Sequence, residues 1–215
     1  MFVVAFVRAS RRVRKALYEF AATLGWTDLR RPRFGSMAVR GMWNGRPGDR
    51  FPSPPGEGRR GEVSPPGVAA AFGWQPAQKS RPAYVSAEIA FDRPGRFEMR
   101  GRPAKGSFLE RPIMLFGPPR IDLFDPADSA RYDARASDRT LVDSLLAIPG
   151  IRERLDANLA DGGVLRAKNG RLRIRRPLRT APQKGFRFTF KVGPDLDRVR
   201  ALAAEEWALL AMSPG

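Results

Sequence analysis

Residues 164–175 read VLRAKNGRLRIR, and this stretch decides the fold class. Arg171–Arg175 alternates basic and apolar side chains, which is the period of a strand with one buried face. Asn169 and Gly170 come just before it, and an Asn-Gly pair between two such runs is the strongest short-range signal of a β-hairpin turn. The stretch therefore predicts two antiparallel strands, Val164–Lys168 and Arg171–Arg175, joined by a two-residue turn.

A second Asn-Gly pair, Asn44-Gly45, predicts another hairpin nearer the N-terminus. Its strands are Ser36–Trp43 and Val68–Trp74, and the tract GDRFPSPPGEGRRGEVSPPG at residues 48–67 separates them. The five prolines and five glycines of this tract disfavour both a helix and a strand ladder. We expect 48–67 to be a disordered insert, because the closure entropy of a loop grows only slowly with its length.

Hydrophobic periodicity predicts the remaining elements. Strands are expected at Ala83–Phe91 and Arg96–Arg100, joined by the turn sequence Asp92-Arg93-Pro94-Gly95, and at Arg131–Ala136 and Phe186–Lys191. Helices are expected from Ser10 to a C-cap at Gly25, and at Asp138–Ala147, Pro149–Ala160 and Pro194–Met212. A long loop is expected at Gly101–Asp128. This pattern predicts an α+β fold, an antiparallel sheet built from hairpins with helices on one face, including N- and C-terminal helices.

The length of 215 residues suits one domain with a sizeable core. We assign residues 1–15 to an apolar stub with a basic flank and 16–215 to a single α+β domain, interrupted by the insert. The chain has no histidine and no cysteine, which excludes Ser-His-Asp and Cys-His sites, thiol redox chemistry and nearly all zinc, iron or copper sites. We expect a protein that is not an enzyme and has no cofactor and no metal site; the sequence implies no small-molecule partner.

The charge is strongly basic, with 39 basic and 22 acidic residues and a formal net charge of +17. Of the 39 basic residues 33 are arginines, and arginine is the better bidentate partner of phosphate and carboxylate. This balance favours a polyanion as partner, either nucleic acid or an anionic membrane surface. A GC-rich coding sequence is the alternative reason for choosing arginine over lysine, although it does not explain the excess of bases over acids.

The N-terminal segment is the first candidate for polyanion binding. Phe2–Val7 is apolar, but six residues cannot cross a bilayer, and the charges follow the apolar run, unlike those of a signal peptide. The basic flank that follows consists of Arg8, Arg11, Arg12, Arg14 and Lys15. Because Val13 and Leu17 recur at helical spacing, the segment is an amphipathic core helix, a membrane-surface helix or the end of a truncated anchor.

The second hairpin is the alternative candidate. It carries Arg171, Arg173, Arg175, Arg176 and Arg179, which could neutralise phosphates. A solvated sheet face, or an edge strand protected from aggregation by charge, explains the same pattern.

Two weaker patterns have structural alternatives. Lys184–Lys191 partly resembles the RNP1 strand of RNA-recognition motifs, but its alternating phenylalanines also suit a core strand. Asp122, Asp125 and Asp128 could supply oxygen ligands for a cation or could serve turns.

A wider resemblance is carried by Leu24-Gly25-Trp26, Gly41-Met42-Trp43-Asn44-Gly45-Arg46, Phe124-Asp125, Tyr132–Asp138 and Leu145-Leu146. Together with the N-terminal stub, these segments resemble the soluble portions of uncharacterised bacterial membrane-tethered proteins. The resemblance implies no activity, but it implies an anchor upstream of Met1. We therefore expect a non-enzymatic domain at the cytoplasmic face of a bacterial membrane, held through its basic N-terminal segment, with nucleic-acid binding through the arginine-rich hairpin as the alternative.

Overall fold

The computed structural model describes residues 2–30, 38–43, 68–77, 82–102, 118–160, 162–178 and 195–212, without the side chains of residues 2–6. Its helices are α1 (Phe2–Thr23), α2 (Pro126–Arg131), α3 (Arg139–Leu146), α4 (Ile151–Leu159) and α5 (Leu196–Leu210). Its strands are β1 (Thr27–Arg30), β2 (Ala38–Trp43), β3 (Val68–Gln75), β4 (Ala83–Ala90), β5 (Phe97–Gly101), β6 (Arg120–Ile121), β7 (Tyr132–Ala136), β8 (Val164–Ala167) and β9 (Arg171–Leu178).

The nine strands form one antiparallel sheet in the order β1-β2-β3-β4-β9-β8-β5-β7-β6. The predicted β8–β9 hairpin is confirmed, and Asn169 and Gly170 adopt φ values of 53° and 69°, as a turn with two left-handed residues requires. β4 and β5 do not pair with each other, although a turn sequence joins them, because the β8–β9 hairpin lies between them. β9 is therefore the central strand of the sheet.

One face of the sheet is apolar and is covered by helices, which confirms the predicted α+β architecture. Leu172 and Ile174 of β9 are fully buried on this inner face, where α5 packs against β4 and β9. α5 begins after Asp195, whose side chain accepts hydrogen bonds from the backbone N–H groups of Asp197 and Arg198 at 3.1 Å. This cap satisfies N–H groups that have no partner within the helix.

Trp207 of α5 lies in a cluster of aromatic rings between the helices and the sheet. Its ring centroid is 4.9 Å from Trp26, which follows α1, 5.1 Å from Trp43 of β2 and 5.8 Å from Phe72 of β3. Trp26 also stacks on Phe72, with their centroids 4.6 Å apart. Aromatic pairs at such distances contribute beyond the area they bury. The cluster therefore holds both terminal helices against the same part of the sheet.

α1 is longer than the sequence pattern predicts, since it begins at Phe2 instead of Ser10. Val13, Leu17 and Ala21 are fully buried in the main core, and Gly25 ends the helical segment with a φ of 73°. The helix is continuous through residues 15 and 16, where the sequence interpretation separated a basic flank from the domain. From Val13 onward, α1 is an amphipathic core helix.

Two segments were predicted incorrectly and others lie outside the described residues. β1 was missed, and the predicted loop at Gly101–Asp128 contains β6 and the start of α2. The Asn44-Gly45 turn, the tract at 48–67 and the RNP1-like segment at 184–191 are outside the described residues.

We expect Trp207→Ala to lower the free energy of unfolding by about 3–5 kcal/mol, because the substitution leaves a cavity among three other rings. Urea denaturation followed by circular dichroism measures this loss. The control variant Trp207→Phe keeps an aromatic ring and should lose less. An unfolding free energy for Trp207→Ala within about 1 kcal/mol of the wild type would contradict the role of α5 in the core.

Candidate polyanion-binding surfaces

The first basic surface is a stripe on the solvent side of α1. We call Arg8, Arg11, Arg12 and Lys15 the helix stripe. Their spacing of three and four residues aligns them along about 10 Å of the helix, and all four are exposed. Val13 and Leu17 are buried on the opposite side, so the stripe is directed away from the core.

Arg14 and Lys15 differ from the first three arginines in their surroundings. Arg14 is half-buried at the side of the stripe, and its Nε donates a hydrogen bond to the carbonyl of Ser10 at 3.4 Å. Lys15 lies 3.8 Å from Glu19, the first acidic residue of the chain, which also pairs with Arg200 of α5. The uncompensated charge of the stripe is therefore concentrated at its N-terminal end.

The second basic surface lies on the outer face of the sheet, opposite the helices. Directly paired residues of antiparallel strands point to the same face of a sheet. In the observed register one residue from every strand falls in a single line, which we call the arginine row. Its members, in strand order, are Arg30, Arg40, Ala71, Glu88, Arg173, Arg166, Glu98, Arg135 and Arg120.

The two glutamates of the row form ion pairs with arginines on the outer face of the sheet. Glu98 accepts hydrogen bonds from the Nε atoms of Arg166 at 2.7 Å and Arg100 at 2.8 Å, and its own side chain is only 6% exposed. Glu88 pairs with Arg171, which lies outside the row on the same face. The buried carboxylate of Glu98 thus pairs with two guanidinium groups, so the net charge of these three side chains is positive.

The arginines at the centre of the outer face lie close enough for the charge of one to affect the pKa of another. Arg173 donates a hydrogen bond from Nη2 to Ser86 Oγ at 3.1 Å, and the guanidinium of Arg175 lies 4.3 Å from the centroid of the Tyr84 ring. Partial burial lowers the pKa of Arg175, and the charges of Arg173, Arg166 and Arg100 lower it further, against the opposing effect of Tyr84. Arginine remains protonated, so the shift shows that burial, and to a smaller extent the neighbouring arginines, disfavour the charge of Arg175.

The arginines predicted on the second hairpin do not all share this surface. Arg171, Arg173 and Arg175 lie on the outer face. The prediction that Arg176 belongs to the polyanion-binding set was wrong, because its side chain points to the inner face of the sheet and is only 4% exposed. Arg179 is outside the described residues. The alternative of a charged edge strand was also wrong, since β9 is central.

Sequence reasoning missed the arginines that other strands contribute to the row. Arg30, Arg40, Arg120 and Arg135 come from strands that are distant from the hairpin in sequence. Period-two alternation indicates that Arg135 faces away from the core, but it does not indicate which residue lies beside it. Only the register of the sheet brings these side chains into one line.

Arg176 belongs to a buried polar cluster between β9, α4 and α5. Its Nη1 pairs with the Glu205 carboxylate and lies 3.5 Å from Asn158 Oδ1, while its Nε has no partner among the described residues. Glu206 is fully buried, and its carboxylate oxygens have no side-chain hydrogen-bond partner within the described part of the chain. Burial raises the pKa of Glu206 well above its ordinary value, and the charge and the backbone N–H of Arg176 oppose this only in part.

The aspartates considered as cation ligands have other contacts. Asp125 caps α2 by accepting a hydrogen bond from the N–H of Ala127 at 2.8 Å. Asp128 is buried and accepts three hydrogen bonds of 2.9–3.1 Å from Arg152 of α4. Asp122 has no contact of this kind among the described residues. A helix cap therefore accounts for Asp125, and an ion pair between α2 and α4 accounts for Asp128.

An open groove of about 510 Å³ lies between the Asp92–Arg96 turn and the Asn169-Gly170 turn. Its only serine, Ser137, accepts a hydrogen bond from the backbone N–H of Arg96 at 2.9 Å, and Arg93 bonds to Ser144 at 2.8 Å. Both of these contacts are internal to the fold.

Comparison with protein-family models, curated proteins and solved structures finds no match to this chain. Among the described residues, no helix combines the length and apolar character needed to cross a membrane. The two basic surfaces are therefore interpreted from their own chemistry.

We expect the free energy of unfolding to fall as the pH rises above about 4.3, the ordinary pKa of glutamate. The reason is that the folded state keeps a proton on Glu206 that the unfolded state releases. Glu206→Gln carries no charge at any pH, so its stability relative to the wild type should increase as the pH rises above about 4.3, until the pH passes the raised pKa of Glu206. Urea titrations at several pH values measure this difference.

The neighbouring variant Glu205→Gln is the matched control. It removes the carboxylate that pairs with the buried Arg176, and it should therefore lower stability at neutral pH. A stability difference between Glu206→Gln and the wild type that stays constant from pH 4 to pH 8 would mean that Glu206 titrates normally.

Proposed function

We propose that this protein is a non-enzymatic domain that binds the anionic cytoplasmic surface of a bacterial membrane through the helix stripe and Arg14. The observation that carries the proposal is the exposure of Arg8, Arg11 and Arg12 on the side of α1 opposite its buried face. None of these three arginines has a carboxylate partner among the described residues.

The magnitude of the attraction supports reversible binding. Each Lys or Arg near an anionic bilayer contributes about 1 kcal/mol, so Arg8, Arg11 and Arg12 contribute about 3 kcal/mol together, and the half-buried Arg14 and the paired Lys15 add less. Such binding is electrostatic and weakens as salt shortens the Debye length. The buried face of α1 takes no part from Val13 onward, because it is already packed in the core.

The first turns of α1 provide a second, apolar contribution. Phe2–Val7 belongs to the same continuous helix as the stripe, and its residues are apolar in sequence. A basic helix with an adjacent apolar segment binds bilayers through electrostatic attraction and through burial of its apolar side chains, with the charges at the headgroups. A continuous helix also presents its stripe on one side, which suits a charged surface.

Vesicle co-sedimentation tests the proposal. We expect the wild-type protein to sediment with vesicles of phosphatidylglycerol and phosphatidylcholine, but not with phosphatidylcholine alone. The triple variant Arg8→Gln/Arg11→Gln/Arg12→Gln should lose about 3 kcal/mol of binding free energy, or about two orders of magnitude in affinity. Substitution is preferable to truncation, because removing residues 1–15 would also remove the buried Val13.

The matched control is Arg40→Gln/Arg135→Gln/Arg173→Gln, which removes the same charge from the outer face of the sheet. It should keep most of the vesicle binding. Equal losses in the two triple variants would mean that net charge alone drives the association, and would contradict a specific role for α1. Binding that does not require anionic lipid would contradict the proposal as well.

A further inference from the structure

We infer that the outer face of the sheet is a second binding surface, which takes the phosphate backbone of a nucleic acid. This surface is separate from the helix stripe and goes beyond membrane association. The inference is drawn from the charge, the geometry and the contacts of the arginine row.

The row is long and strongly positive. Nine strands spaced about 4.8 Å apart give it a length of roughly 38 Å. Six of its nine members are arginines and two are glutamates. Arg171, Arg175 and Arg100 add further positive charge on the same face, where Asp133 adds one negative charge and pairs with Arg120 at 3.1 Å. A linear array of positive charge complements a linear polyanion.

Several guanidinium groups of the row are available to an external anion. Among the described residues Arg40, Arg135 and Arg173 have no carboxylate partner. Arg173 is exposed, and its hydrogen bond to Ser86 leaves most of its donors open. Because the fork of arginine matches the oxygens of phosphate, these three side chains suit phosphate groups better than a diffuse charge.

The row contains like-charge neighbours that the fold itself does not require. Arg173 lies directly opposite Arg166, which pairs with Glu98. Arg135 lies directly opposite Arg120, which pairs with Asp133. Like charges in such cross-strand pairs are destabilising. Burial is the main reason for the lowered pKa of Arg175, and the charges of Arg173, Arg166 and Arg100 lower it further. A bound polyanion would relieve the repulsion among these arginines.

The aromatic content of the face indicates recognition of the backbone and not of the bases. Among the described residues of the outer face, Tyr84 on β4 is the aromatic side chain beside the arginines, and the guanidinium of Arg175 already covers its ring. Proteins that prefer single strands stack successive bases on open aromatic rings. We therefore expect binding without base specificity, and binding to duplex at least as tight as to single strands, because duplex has the higher charge density.

The two basic surfaces lie on opposite sides of the molecule. α1 packs on the inner face of β2 and β3, with its stripe directed away from the core, whereas the arginine row is on the outer face. Neither surface blocks the other. The protein can thus hold a nucleic acid while its helix stripe faces a membrane.

Fluorescence anisotropy with a labelled 20-base-pair DNA duplex tests this inference, with a single strand of the same length as a second probe. Arg40→Gln/Arg135→Gln/Arg173→Gln should reduce duplex affinity at least tenfold at low salt. Each lost phosphate contact should also reduce the slope of log K against log salt by about 0.9, or by about 2.7 for the triple variant. The control is Arg8→Gln/Arg11→Gln/Arg12→Gln, which removes the same amount of charge. It should change the duplex affinity and the salt slope little.

Three outcomes would overturn the inference: no duplex binding by the wild-type protein at low salt, equal losses in both triple variants, or a strong preference for the single strand that the sheet substitutions do not affect. Unchanged circular dichroism and melting temperature show that each variant is folded, and the single variant Arg173→Gln repeats the test with less perturbation. The vesicle assay is independent, so failure of this inference leaves the membrane proposal standing, and the reverse also holds.

Discussion

The packing of Trp207 against the rings of Trp26, Trp43 and Phe72 is the contact on which the rest of the structure depends. It packs α5 against Trp26, which follows α1, and against strands β2 and β3. Since these elements come from both ends of the chain, the contact closes the helical layer over the inner face. Apolar side chains of the strands are buried under that layer, and the alternating polar side chains must lie on the outer face.

This separation of faces explains why a protein with so many arginines has two distinct basic surfaces. On α1 the helical period directs Arg8, Arg11 and Arg12 away from the buried side. On the strands the period of two directs Arg173 and Arg166 to the outer face. The helix stripe lies on the solvent side of the helical layer and the arginine row on the opposite face of the sheet, so the two surfaces are separate.

Arg176 and Glu206 break this pattern, because both are charged residues on the buried side. Arg176 is compensated by Glu205 and Asn158, while Glu206 is accommodated through a raised pKa that favours its neutral form. Buried polar groups of this kind are weak evidence for stability. They make the junction of β9 and α5 the part of the core whose energy depends on pH.

Local periodicity in the sequence determined the β8–β9 hairpin, the C-terminal helix, the amphipathic α1 and the α+β class, because each depends on residues a few positions apart. The same periodicity predicted that Arg171, Arg173 and Arg175 share one face. The tertiary structure alone decided that the β8–β9 hairpin lies between β4 and β5, and that Arg40, Arg173 and Arg135 fall in one row. The physical reason is that strand order and register depend on how distant segments bury their apolar faces together, and no local pattern encodes which strands become neighbours.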